Sequence, residues 1–381
     1  MAEPKKRIHV LVSEEYEICR GILRGVFSYA IPGRPWILTH GHPSDMAPEM
    51  NYFRESEGLI IFTSNRQLVN TINQAGKHVV NTSGSLEDQP FPRVTVDNEA
   101  IGRMAARYFM EKGFRRFACW TAPGPAHNRH RRDSFLKELG THGHVAEAFY
   151  EEVNPSGLRD ESVARLIPWL RKQDEPVALF FVDDTEGRAV SQEIYHAGIH
   201  VPGEVALLGV DNDLLKCMMA YPPLSSISIP AEKIGYEAAA MLDRMMSGQP
   251  AGEDIALPPI GVVERDSSRT EAVRDEDVAR AMRYIRENAH KRISVRDVLG
   301  AVEVCRSTLE RKFRTTLNRT PLEEIHRAHL EQAKRLLVET DRTLAEVAKE
   351  SGYRDAAHLI MHFRKRADMT PSQYRKDFLL K

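Results

Sequence analysis

Hydrophobic and polar positions follow two different periods along the first 265 residues. Short apolar runs predict buried strands, namely RIHVLVS, GLIIF, KHVVNTS, RVTVD, FACW, VALFFVDD and VALLGVD. Apolar residues at helical spacing predict amphipathic helices over 19–30, 98–112, 131–140, 160–172, 185–197 and 231–246. Continuous apolar strands separated by helices indicate parallel sheets covered on both faces. A break in this pattern near 122–129 predicts two α/β lobes.

Beyond residue 276 the periodicity is helical throughout, and one pattern occurs twice. A short apolar helix, a turn and a second helix are marked first by Val295, Val298, Leu299, Leu309 and Phe313, then by Leu344, Val347, Ala348, Leu359 and Phe363. Each copy predicts a helix-turn-helix, followed by a Thr-Pro pair that starts a new helix. The connecting segment PLEEIHRAHLEQAKRLLVE predicts a helix about 27 Å long, comparable to one turn of DNA at about 34 Å.

These patterns divide the 381 residues into an α/β body (1–265), a linker (266–276) and an all-α domain (277–381). Charge follows the same division. The chain from Glu271 onward contains 24 Lys and Arg against 18 Asp and Glu, whereas the first 270 residues contain 29 against 36. A basic domain attached to an acidic body favours a polyanionic partner for the basic domain.

The cysteines and the hydropathy exclude several classes of protein. The four cysteines, Cys19, Cys119, Cys217 and Cys305, form no CxxC pair or zinc-ligand pattern, so we predict free thiols, no metal and no cofactor. No apolar run approaches the roughly 18 residues of a membrane-spanning helix. We therefore expect a cytoplasmic protein with no membrane partner.

Polar residues follow the predicted strands, where ligands of parallel α/β folds bind. Asp183, Asp211 and Asn212 end two strands, Tyr16 follows the first strand, and Arg131 is predicted to open a helix on the other side of the cleft. Carboxylates accept hydrogen bonds from hydroxyl groups, a guanidinium donates them, and an aromatic ring covers an apolar sugar face. The set predicts a site for a neutral polyhydroxylated ligand.

Structural roles compete with this interpretation. An aspartate at a strand–helix junction is a good helix N-cap, and for Asp184 and Asp213 the two roles are equally plausible. Arg131 lies in the basic run HNRHRRD, which could simply be solvated, and Tyr16 could only pack on the sheet. The chain has no GxGxxG after a strand, no GxxxxGK[ST] and no GxSxG, so we predict no enzymatic activity.

Two segments resemble the LacI-type ligand domain, GVDNDLLKCMMAYPPLSSISIPAEKIGYEAAAMLDRMM and VDNEAIGRMAARYFMEKGFRRFA. The resemblance implies a two-lobed type I periplasmic-binding-protein fold. It aligns Arg131 with that family's ligand-binding Arg, Asp211 with its ligand-binding Asp, and Asp183 with the Asn of its N-D-x-x-A element. Ser134 replaces the family's glycine and Asp183 its asparagine. Because the first strand starts near Arg7, we expect DNA binding elsewhere in the chain.

The C-terminal segment, including AKESGYRDAAHLIMHFRKRADMTPSQYRK, resembles the AraC/XylS DNA-binding domain, with His358 in place of the usual aromatic residue. The resemblance implies that the second helix of each unit enters a major groove. The DNA-binding candidates are Arg306, Ser307, Glu310, Arg311 and Arg314 in the first unit, and Ala356, Ala357, Met361, Arg364 and Lys365 in the second. Arg311 is suited to a bidentate guanine contact and Glu310 to cytosine N4. The alanines and Met361 can contact thymine methyl groups only.

The complete arrangement is similar to that of the regulators of xylose operons. It implies a sequence-specific transcriptional regulator controlled by a small sugar, with operator DNA, a homodimer partner and, for an activator, RNA polymerase as partners. We expect an activator responding to xylose. Another sugar or a sugar acid, repression, a sugar-processing enzyme with an attached DNA-binding module, and a ligand-free dimerisation scaffold are the alternatives.

Overall fold

The first lobe is built on a parallel four-stranded sheet of order β2-β1-β3-β4. The structure, a computed structural model, describes residues 5–31, 33–43, 51–150, 160–269, 275–317, 319–367 and 369–378. The strands are β1 Lys6–Leu11, β2 Trp36–Gly41, β3 Gly58–Ile61 and β4 His78–Asn81. The helices numbered with them are α1 Glu17–Ala30, α2 Asn51–Glu55 and α3 Arg66–Gln74. Ile8, Val10 and Ile60 are buried in its core, as the continuous apolar runs predict.

The second lobe contains a six-stranded sheet of order β12-β10-β9-β8-β6-β7. Its strands are β6 Arg116–Thr121, β7 Ala146–Tyr150, β8 Val177–Phe181, β9 Val205–Asp211, β10 Ser225–Ser228 and β12 Gly261–Val263. All pairings are parallel except that of β10 with β12. The helices of this part are α4 Asn98–Glu111, α5 Ala126–Thr141, α6 Asp160–Arg171, α7 Asp184–His196 and α8 Leu214–Met219.

Three chain segments connect the two lobes. The short strands β5 Val94–Val96 and β11 Ile255–Leu257 pair in parallel, and helix α9 Ala231–Met246 follows β10 and packs on α1 in the first lobe. The chain therefore crosses after β5, returns after β10 and crosses again after β11. A hinge of three neighbouring segments allows two rigid lobes to move relative to each other.

Seven helices form the described residues of the C-terminal part. They are α10 Glu276–Glu287, α11 Val295–Leu299, α12 Arg306–Leu317, α13 Pro321–Glu339, α14 Leu344–Glu350, α15 Ala356–Ala367 and α16 Pro371–Phe378. Phe313 and Phe363 are fully buried, one in each of two separate cores. The two predicted helix-turn-helix units and the two-lobed α/β body are confirmed.

Each Thr-Pro pair begins a helix, as predicted. Glu323 N donates to Thr320 Oγ1 at 3.2 Å, and the Glu323 carboxylate accepts in return from Thr320 N at 2.7 Å. Gln373 makes the same reciprocal pair with Thr370. These capping boxes satisfy free backbone groups at the start of α13 and α16, while proline at the first helical position removes a donor that would have no partner.

The prediction that Arg131 opens a helix is wrong. Of the two alternatives stated for Asp184 and for Asp213, the N-cap role holds for Asp213 and not for Asp184. Helix α5 begins at Ala126, so Arg131 lies inside the helix and does not open it. Asp183, and not Asp184, is the N-cap of α7, because Asp183 Oδ1 accepts from Glu186 N at 2.9 Å. Asp213 is the N-cap of α8. Strands β2, β7, β10, β11 and β12 were not predicted.

The segment assigned to a linker begins with ordered structure. Asp266–Ser268 form a 3-10 helix, and both Ser267 and Ser268 are fully buried. Ser267 Oγ donates to Leu207 O and accepts from Ser225 N, each at 2.8 Å. Residues 270–274 lie outside the described residues. Among the helices that are described, none has the length and apolar character needed to span a bilayer.

Candidate ligand cleft and DNA-binding surface

Arg131 is buried and held in a fixed orientation in the second lobe. Its Nε donates to Asn98 Oδ1 at 2.9 Å, and its Nη1 donates to Val182 O at 2.7 Å. Its Nη2 lies 3.5 Å from Asp211 Oδ1. Three different elements therefore orient one guanidinium, which is the preorganisation expected of a group that recognises a small ligand.

Asp211 ends β9 in an unusual backbone conformation. Its φ is 100° and that of Asn212 is 52°, both in the region that favours glycine. Removal from water raises the pKa of Asp211, and Arg131 opposes this rise. Among the described residues, Asp211 Oδ1 has no hydrogen-bond donor. A strained, charged residue with a free acceptor is typical of a binding site.

Asn212 and Asp183 are partly occupied by protein partners. Asn212 Oδ1 accepts from Arg265 Nη2 at 2.6 Å, and Asn212 N donates to Ser226 Oγ at 2.9 Å. Asp183 uses Oδ1 to cap α7. Each side chain therefore has fewer hydrogen-bonding positions left for a ligand, which makes Asn212 and Asp183 weaker candidates than Arg131 and Asp211.

Tyr16 lies on the first lobe at the start of α1, with 44% of its surface exposed. Lys216 Nζ of the second lobe lies 4.6 Å from its ring centroid. Nearby, Glu17 N donates to Asp213 Oδ2 at 3.4 Å, again across the lobes. The first lobe therefore brings an aromatic ring next to Lys216 and the 211–213 loop of the second lobe.

Sequence reasoning missed the role of Asp184. It is buried and accepts from Ser226 Oγ at 2.7 Å and from Asp213 N at 2.8 Å. Burial raises its pKa well above the ordinary value. Asp184 thus holds the backbone of the 211–213 loop in place through its hydrogen bond with Asp213 N. Lys216 was missed as well, because nothing in LLKCMM distinguishes a cleft residue from a solvated one.

Helix α12 presents most of the predicted DNA-binding side chains to solvent. Arg306, Ser307, Arg311 and Arg314 are exposed. Arg306 Nε donates to Glu310 Oε1 at 2.8 Å, so Glu310 has a partner one turn away. The Arg311 guanidinium has no ion-pair partner among the described residues, which leaves its donors available for a base edge. Lys312 instead binds Asp275 and Asp277 at the start of α10.

Helix α15 has a different surface. Ala357 and Met361 are exposed and flanked by Arg364 and Lys365, while Ala356 is half-buried. Ile360, which was not predicted, adds to this apolar strip with 37% exposure. An apolar strip between two cations suits contact with thymine methyl groups and phosphates.

Acidification is expected to destabilise the helical domain. Burial, aided by Arg366 and three neighbouring histidines (His362, His329 and His358), lowers the pKa of His326 from 6.5 to about 4. In the unfolded chain His326 is protonated below about pH 6.5, whereas in the folded chain it is protonated only below about pH 4. The free energy of unfolding therefore falls as the pH drops from 6.5 to 4. His326→Gln should flatten the dependence of the thermal midpoint on pH. The exposed His290→Gln should not, and equal curves for both variants would contradict the assignment.

Comparisons with known proteins agree with this architecture. Residues 106–268 match a periplasmic binding protein-like domain, and residues 300–377 match a helix-turn-helix domain. The chain is 33% identical to the xylose operon regulatory protein of Haemophilus influenzae over 75% of each chain. It is 30% identical to that of Escherichia coli strain K12, over 84% of this chain and 83% of the relative. The solved structure of the xylose-binding transcription activator xylR covers 99% of both chains, with 27% identity and a TM-score of 0.64.

Proposed function

Because the chain belongs to the family of xylose operon regulatory proteins, we propose that it is a transcriptional activator that binds xylose between its lobes. It is a DNA-binding transcriptional regulator with a sugar-sensing domain, and not an enzyme. The proposal extends this to the identity of the sugar, to activation through RNA polymerase and to action in the cytoplasm, where the DNA is. The relatives' names support xylose and activation.

The buried Arg131 guanidinium beside the half-buried Asp211 carboxylate is the observation on which the sugar site rests. A fixed guanidinium beside a carboxylate with a free acceptor offers donors and acceptors to adjacent hydroxyl groups. A neutral sugar satisfies both without adding a charge, whereas a sugar acid would bring its carboxylate close to Asp183 and Asp211. We therefore favour a neutral pentose over an anionic one.

A thermal-shift titration of the full chain tests the sugar assignment. Xylose should raise the unfolding midpoint saturably, because binding to the folded state alone adds stability. Other pentoses, hexoses and their acids serve as the comparison. A saturable rise of the midpoint with another sugar, and none with xylose, would identify that sugar as the effector. No rise with any of these compounds would refute sugar sensing.

Sugar binding between the lobes would favour their closed arrangement. Cross-lobe contacts such as Glu17 N with Asp213 and Lys216 with Tyr16 support a closure that a bound ligand could stabilise. The helical domain contacts the second lobe next to the hinge, where Tyr374 Oη donates to Ile260 O at 2.7 Å. Closure would thereby move the DNA-binding helices.

An exposed apolar surface supports the homodimer. Helix α8 and the nearby Tyr221 expose large apolar side chains. The exposed fractions are 59% for Leu214, 65% for Leu215, 55% for Met218, 63% for Met219 and 59% for Tyr221. Contiguous exposed apolar side chains indicate an interaction surface. We propose that a second copy covers it, because a two-fold pairing buries the same surface on both protomers.

Charged substitutions in this surface should produce a monomer. Leu215→Asp with Met218→Asp would bury two unpaired charges in the interface, at a cost of several kcal/mol, while each side chain stays solvated in the monomer. Sedimentation velocity measures the outcome. Ile31→Asp is the control, since Ile31 is 78% exposed and lies on the first lobe. A dimer that survives the double substitution would refute this interface.

A further inference from the structure

The junction between the sensor and the helical domain is built from polar contacts around an internal space. Arg327 Nη1 of α13 donates to Glu111 Oε2 of α4 at 3.1 Å. Lys112 Nζ lies 2.7 Å from Glu264 Oε2, and Arg286 of α10 lies 3.7 Å from the other carboxylate oxygen. These contacts join the two domains at the edges of the junction and leave its centre open.

The open centre is a cavity of about 780 Å³. Its walls come from α4, from residues 258–262, which lead from β11 into β12, and from α10 and α13, so both domains contribute. Volumes of roughly 300–1,000 Å³ are typical of sites that enclose small molecules. It is separate from the cleft, because neither Arg131 nor Asp211 lines it.

The walls of the cavity are cationic with apolar patches. Its lining includes eight Lys or Arg residues and five Glu residues. Glu264 and Glu324 each bind two cations, and the lining residues Arg103, Arg107 and Arg269 pair with carboxylates outside the lining. Met104, Ile260, Val262 and Met282 supply apolar surface. Cationic side chains with donors still unoccupied, beside apolar side chains, favour an anion with an apolar face.

Two of the lining cations are well placed to receive such an anion. Arg107 on α4 uses Nε to donate to Glu138, at 2.7 Å, and its side chain is 61% exposed. Its two Nη groups have no partner among the described residues. Lys334 on α13 comes from the other domain, and its ion-pair partner among the described residues is Glu331 on its own helix, at 2.9 Å.

We propose that this cavity is a second effector site, which binds a small organic anion, such as a phosphorylated or sulfonated molecule with an apolar face. The cavity would bind an anion, whereas the cleft between the lobes would bind a neutral sugar. An anion bound there contacts both domains, so it stabilises the relative position of the DNA-binding helices and thereby alters DNA affinity. The inference depends on the two-domain junction and not on which sugar occupies the cleft.

Fluorescence titration of the full chain with anilinonaphthalene sulfonate, an apolar aromatic anion, tests the proposal. Enhancement should saturate, and the compound should raise the thermal midpoint, as a ligand of the folded state does. Arg107→Glu with Lys334→Glu should weaken binding about tenfold or more, because two repelling charges then face the sulfonate. Lys137→Glu, an exposed residue of α5 outside the lining, is the matched control and should bind like the original chain.

Three outcomes would overturn the second site. Equal affinity in the double variant and the control would place the dye elsewhere, for example on the exposed apolar surface of α8. Simple competition, in which the apparent dissociation constant for the dye rises in proportion to xylose without reaching a plateau, would place the dye in the cleft. Enhancement that does not saturate, or a lowered thermal midpoint, would mean that the dye binds non-specifically or to unfolded chain. Failure of xylose binding itself would leave this titration unaffected, so the two proposals fail separately.

Discussion

Replacing Arg131 with alanine is expected to abolish sugar binding and to lower the free energy of unfolding by about 3–5 kcal/mol. The substitution leaves the half-buried Asp211 without a counter-charge and removes the donors to Asn98 and Val182. Thermal unfolding with and without xylose measures both effects. Arg132→Ala is the matched control, since the adjacent Arg132 contacts Asp133 and the Tyr150 ring and makes no cleft contact.

A second variant separates loss of binding from loss of stability. Asp211→Asn keeps the size of the side chain and tolerates the positive φ, but removes the charge that accepts from sugar hydroxyls. We expect an affinity loss equivalent to about 1.5–3 kcal/mol. Arg131 loses its ion-pair partner but keeps its hydrogen bonds to Asn98 and Val182, so the free protein should lose less stability than with Arg131→Ala. If Asp211→Asn bound xylose as tightly as the original chain, Asp211 would have no role in recognition.

Arg311→Ala is expected to cost about 1–3 kcal/mol of binding to the preferred DNA and to relax the preference at one base pair. The reason is that Arg311 is exposed on α12 and has no ion pair to lose within the part of the chain that the structure describes. Lys365→Ala, on α15, should instead weaken binding to all DNA sequences alike and flatten the salt dependence by about one unit. Competition titrations of full-length protein with matched and mismatched duplexes compare them. Identical behaviour of the two variants would contradict the groove assignment.

The fold was largely predictable because its core strands are continuous apolar runs. VALFF and VALLGV are buried on both faces, and their sequences reflect it. Strand β2, WILTHG, is only partly covered, and its mixed composition gave no strand signal. The repeated helical units were predictable because one spacing of leucine and phenylalanine occurs twice, and both phenylalanines are buried.

The cleft was less predictable because it depends on helix phase. HNRHRRD contains four basic residues besides Arg131 within one turn or two, and composition does not distinguish them. Only the phase of α5, in which Asn128, Arg131, Ser134 and Phe135 share the buried face, selects Arg131. That spacing was available in the sequence. The sequence did not show which of Asp183 and Asp184 is the N-cap of α7, because both follow the same strand and either can cap a helix.

The central claim is that a sugar in the cleft controls DNA binding by the helical domain. The most direct measurement is the dissociation constant of the full chain for duplex DNA, selected from a random pool in the presence of xylose, with and without the sugar. The account predicts that xylose changes this constant in the original chain and leaves it unchanged in Asp211→Asn. An identical constant with and without xylose, in a protein that demonstrably binds the sugar, would contradict it.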